Sequence, residues 1–161
     1  MVSRQSRVDG SRGFTLAELL ATISIIGIVS VTAFPVFANF LQTQRARGAA
    51  RELVDLLNQA RQLAIATNSD YRVQIDTANN RLSFVRTSDG AVWTGLGTDG
   101  DGFRRLENQA RLAGVTANPI FFRFGDASGG TITVQDSTGS SGLGVVVSGR
   151  GRIRICPPNC P

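Results

Sequence analysis

Residues 14–40, FTLAELLATISIIGIVSVTAFPVFANF, carry a single charge, Glu18. At about 1.5 Å per residue, a helix of this length crosses a hydrocarbon layer of roughly 30 Å. By length and hydropathy the segment is a membrane span. Arg4, Arg7 and Arg12 stand before it against the lone Asp9. That positive flank predicts a cytoplasmic N-terminus and an exported remainder. An ordinary secretory signal would have a shorter apolar run followed by a small-residue cleavage site.

Thr22, Ser24, Ser30 and Thr32 cost little inside such a helix, because hydroxyls bond back to its carbonyls. Gly27 and Pro35 are points of weakness. A carboxylate is different, since its insertion costs several kcal/mol. Glu18 therefore either snorkels to the interface or pairs with a positive group on another chain.

Beyond the span, Ala46, Ala49, Ala50, Leu53, Leu57, Ala60 and Ala64 recur at three- and four-residue intervals. They predict one apolar stripe of a helix. Arg47, Arg51, Asp55 and Arg61 fall outside it, and Asn68, Ser69 and Asp70 end the helical pattern. One long helix from about Phe14 to Thr67 is the expectation, its apolar part at 14–40 and an amphipathic continuation at 41–68. The period then changes. YRVQID and RLSFVR alternate apolar and polar residues around T-A-N-N and read as a hairpin. Further strands are expected at PIFFRFG, GTITVQD, GLGVVVSG and GRIRIC, with residues 89–102 a long surface loop. A helix followed by antiparallel strands over 69–161 is an α+β fold.

The composition narrows the chemistry. The net charge is +5, and all 17 positive residues are Arg. Basicity favours polyanions, although an arginine cluster weighs less in a chain without lysine. The absence of His removes imidazole catalysis and most zinc sites. No triad, phosphate-binding loop or dinucleotide fingerprint occurs, so neither catalytic residues nor a cofactor or metal is expected. Asp99 and Asp101 lack the rest of a calcium loop and read as a solvated turn. Cys156 and Cys160 frame C-P-P-N-C, which in an oxidising compartment is a small disulfide and otherwise a pair of thiols.

At residues 13–18 the chain reads G-F-T-L-A-E and resembles the type IV pilin signature, with a short basic leader ending in Gly13. The resemblance implies that residues 1–13 are removed by a prepilin peptidase and that Phe14 becomes a methylated N-terminus. Glu18 is then the fifth mature residue. Its carboxylate is expected to compensate the amine of a neighbouring subunit within a low-dielectric filament core. Pro35 falls where such helices kink. The major pilins carry a larger disulfide-closed region after the first hairpin, which is lacking here. Instead, ARELVDLLNQARQLAIATNSDYRVQID with the later short strands and VVVSGRGRIRIC is similar to the GspH/FimT-type minor pilins and pseudopilins. Two functions follow from that resemblance: a minor pilin of a type IV pilus that binds DNA during natural transformation, or a GspH-type pseudopilin of type II protein secretion. The partners implied are other pilins, the inner membrane and, in the first case, double-stranded DNA without sequence preference.

The DNA expectation rests on a G-R-x-R motif, matched by Gly151-Arg152-Ile153-Arg154. If residues 152–156 form a strand, Arg152 and Arg154 share one face about 6.6 Å apart. Ile153 and Ile155 would face the core, and Arg150 would join the arginines from the turn. Their guanidinium forks suit phosphate oxygens and make no demand on base identity. The competing reading is an edge strand kept soluble by outward charge.

Overall fold

The structure, a computed structural model, describes residues 14–107, 110–139 and 142–157. The leader with Gly13, and Cys160, lie outside the described residues. Helix α1 spans Leu16–Ala66 and is followed by eight strands: β1 Tyr71–Asp76, β2 Arg81–Arg86, β3 Phe103–Arg105, β4 Arg111–Val115, β5 Ile120–Phe121, β6 Gly130–Gln135, β7 Gly142–Val147 and β8 Ile153–Cys156. The chain divides into two compact units at Asn39 and Phe40.

The first unit is the apolar start of α1. Thr15 caps it: the Glu18 amide donates to Thr15 Oγ1 at 3.2 Å, the N-cap half of the T-x-x-E box that Thr15 and Glu18 spell. Thr22, Ser24 and Ser30 return their hydroxyls to Leu19, Leu20 and Ile26 carbonyls at 2.7–2.8 Å, which removes their polarity from the surroundings. Leu16, Ile26 and Ile28 are exposed, like most of their apolar neighbours. A helix that is apolar all round and bare of its own chain's cover belongs in lipid or among other helices. Among the described residues no single helix is long and apolar enough to cross a membrane; Leu16–Val31 and Ala33–Ala66 taken together have that length and composition.

In the second unit the same helix is half buried. Ala46, Ala49, Ala50, Leu53, Leu57, Ala60 and Ala64 are each at most 1% exposed, so the stripe read from the sequence is the packed face. Asn68, at φ +48, ends the helix, with the Ser69 amide donating to Ala64 O and the Asn68 amide to Ile65 O. This is the Schellman arrangement, in which asparagine replaces the usual glycine.

Two four-stranded antiparallel sheets cover the helix, in the orders β3-β2-β1-β5 and β4-β6-β7-β8. One cluster joins the helix to Tyr71, Val73, Leu82, Phe84 and Phe121 of the first sheet and to Leu112, Ile132, Val134, Val145 and Val147 of the second. β3 and β4 were not expected. β3 is only three residues long, and β4 carries a register shift between Leu112 and Gly114 that breaks the alternation. PIFFRFG yields only the two residues of β5, because a tight loop over 122–126 closes at once through Phe122 N to Asp126 O. Residues 89–102 are stapled to the first sheet: the Trp93 amide donates to Phe84 O, and the two rings pack at 5.8 Å. The Asp99 carboxylate accepts from the amides of Asp101 and Phe103, so it serves its own turn.

Candidate functional site

The tail is the last hairpin of the second sheet. β7 and β8 pair antiparallel with Val147 opposite Ile153 and Val145 opposite Ile155. The connection is a three-residue loop: the Gly151 amide donates to Ser148 O, Ser148 N donates to Arg152 O, and Arg152 N donates to Ser148 Oγ. Such a loop ends in a residue with positive φ, and Gly151 has φ +72. Gly151 is also buried. A Cβ there would collide with the Gly125 carbonyl oxygen and lie 3.1 Å from Arg61 Nε. That carbonyl accepts from Arg61 Nε at 2.7 Å, and the Ala127 amide donates to Gly149 O at 3.0 Å. Helix, loop 122–126 and hairpin tip are therefore locked together, and the glycine of G-R-x-R is a packing residue. Periodicity gave no sign of the Arg61–Gly125 support, since nothing local links those positions.

Arg150, Arg152 and Arg154 are all exposed. Arg154 lies opposite Val146, on the sheet face away from Val145 and Val147. Alternation puts Arg152 on that same outer face. Arg81, Arg86 and Arg123 are tied to Asp76, Asp89 and Asp70 at 3.0–3.2 Å. Among the described residues the three tail arginines have no such partner. No ion pair among the described residues compensates their charge, and all three are exposed. β8 is an edge strand, as the competing reading required. The expectation that both isoleucines face the core holds for Ile153, which packs on the cluster. Ile155 corrects it, being 39% exposed: on the core side it meets a shallow cleft of about 210 Å³ lined by Arg47, Arg51 and Leu143. The strand outruns its apolar cover. Cys156 is disulfide-bonded.

The paired carboxylates are held ionised by their partners. Asp76 is lowered to about 2, first by the Asn79 side-chain amide and then by Arg81. Asp70 is lowered by the Arg123 side chain and backbone amide. At the other end of the chain, Phe14 is 74% exposed and lies one residue before the Thr15 cap.

An exposed apolar helix that continues into the packed face of an antiparallel β head defines the type IV pilin-like class. Residues 9–34 match the prokaryotic N-terminal methylation motif, and residues 49–151 match the family of the type II transport protein GspH. The chain belongs to the GspH family. The type II secretion system protein H of Xanthomonas campestris pv. campestris is 26% identical over 152 residues, which cover 93% of this chain and 86% of that one. The minor pseudopilin EpsH from the type 2 secretion system of Vibrio cholerae shares the fold at TM-score 0.56 and 18% identity, covering 72% of this chain and 99% of EpsH. The type IV minor pilin FimU of Pseudomonas aeruginosa does so at TM-score 0.54 and 21% identity, covering 75% and 95%. The chain is thus a minor pilin or pseudopilin of a type IV pilus or type II secretion system. Motif and family together imply a membrane-anchored subunit, processed by a prepilin peptidase and assembled with other pilins.

Proposed function

We propose that this chain is a minor pilin of a type IV pilus whose tail binds double-stranded DNA, without sequence preference, during natural transformation. Cleavage after Gly13 makes Phe14 the N-terminus, and Glu18 compensates the amine of a neighbouring subunit where an unpaired charge is severely penalised. The observation that carries the DNA reading is that Arg150, Arg152 and Arg154 are exposed and lack carboxylate partners among the described residues. They stand on a hairpin whose backbone is fixed by Gly151 and Arg61. Three phosphate contacts give a log–log salt slope of about −3 on duplex DNA. The full chain in detergent micelles, titrated with fluorescent duplexes of different sequence at two salt concentrations, tests this. Arg152→Gln/Arg154→Gln should weaken all duplexes alike and flatten the slope by about 2; identical binding by variant and wild type would reject the tail as the site.

The GspH family match and the Xanthomonas relative support a second reading, a minor pseudopilin of type II secretion whose partners are other pseudopilins and exoproteins. Gene deletion separates the two. Loss of DNA uptake with normal exoprotein release favours the first, and the reverse favours the second.

A further inference from the structure

The helix face left outside the packed stripe comes to lie beside the tail. Arg47 and Arg51, one helical turn apart, line the cleft under Ile155, while Arg61 reaches the hairpin tip at Gly125 and Gly151. From residue 47 to residue 61 the helix rises about 21 Å. Within that length it passes the four residues of β8, about 13 Å of strand, from the cleft under Ile155 back to the turn at Gly151. Arg47 and Arg51 are exposed, and among the described residues neither makes an ion pair. Arg51 also borders a second cleft that holds Glu52, Asp55 and Glu107; those carboxylates do not line the one under Ile155.

We propose that the phosphate-binding surface continues from the tail onto the helix, as one basic groove with the open edge of β8 as its floor. Arg150, Arg152 and Arg154 form the outer wall and Arg47 and Arg51 the inner wall. This inference rests on the DNA reading above and names a second set of residues for it. Duplex DNA carries one phosphate per about 3.4 Å of helix axis on each strand, so a groove along the four residues of β8, about 13 Å, faces several phosphates of the duplex. Arg61 is a positioning residue, since its Nε is committed to Gly125 O. The exposed Ile155 and the half-buried Leu143 offer apolar surface to the sugars between phosphates.

Five contacts set a salt slope of about −4.5, against about −2.7 for the tail alone. Between 50 and 200 mM salt the full chain should lose about 500-fold in affinity, and Arg47→Gln/Arg51→Gln only about 40-fold. Arg45→Gln/Arg72→Gln removes the same charge from exposed positions away from the cleft and should keep the wild-type slope. Each variant is measured as the whole chain in micelles, with thermal melting as the check on folding. A wild-type slope for Arg47→Gln/Arg51→Gln, while Arg152→Gln/Arg154→Gln weakens binding, overturns this inference and leaves the tail reading standing. Absence of DNA binding by the wild type overturns both. Polyglutamate competing as well as a duplex of equal charge would reassign the groove to an acidic protein partner and also overturn it.

Discussion

The two halves of α1 belong to one helix and end in opposite environments. Up to Asn39 the large side chains are exposed, as at Leu16 and Ile28, whereas from Ala46 to Ala64 one apolar stripe is sealed against the sheets, with Leu41 and Ile65 left exposed outside it. Apolar side chains all round the helix with one charge mark a segment that must find other molecules, and an apolar stripe beside charged faces marks one that folds against its own chain. Small residues make the second half possible. Alanine at five of the seven stripe positions lets two sheets approach one helix closely.

The sharpest test of that contrast pairs one substitution in each half. Leu57→Ala should destabilise the head by about 2–5 kcal/mol, the range for a leucine truncated in a sealed core, measured by chemical denaturation of the full chain in micelles. Glu18→Ala should leave the same denaturation curve unmoved and reduce incorporation into sheared filaments. A destabilised head in Glu18→Ala, or normal incorporation, would erase the distinction between the halves.

A smaller effect is expected where the helix supports the tail. Gly151→Ala forces a Cβ onto the Gly125 carbonyl at positive φ, and should cost about 1–3 kcal/mol along with DNA affinity. Unchanged stability would mean that the Arg61–Gly125 support does not hold the hairpin tip. The smallest effect lies in acid. Asp76 is depressed from 3.8 to about 2, so its contribution to stability is full above its unfolded value and disappears as pH falls through that window. Asp76→Asn should lower the melting temperature slightly at neutral pH and converge on wild type as pH falls from 3.8 to about 2, which flattens the acid limb; a parallel curve would remove Asp76 as a cause.

Much of this architecture was legible in the residues. The three- and four-residue spacing from Ala46 to Ala64 is a short-range signal that the packed helix obeys, and β1 shows its alternation as strict burial of Tyr71, Val73 and Ile75. The G-F-T-L-A-E run pointed to its family without any fold. β4 was hidden because its register shift beside Gly114 destroys the period, and β3 because three residues carry none. Ile155 looked like a core residue by alternation, but alternation reports the face of a strand and not whether anything covers it.

The sequence by itself determined which helix half is apolar all round, where the helix starts and stops, and that arginines alternate along the final strand. These depend on neighbours within a turn or two of the chain. Only the tertiary structure decided that Arg61 pins the hairpin tip, that Gly151 is there to be packed against, and that Arg47 and Arg51 stand beside β8. Those juxtapositions arise where a helix meets the edge of a sheet, and packing between distant segments leaves no periodic trace in either one.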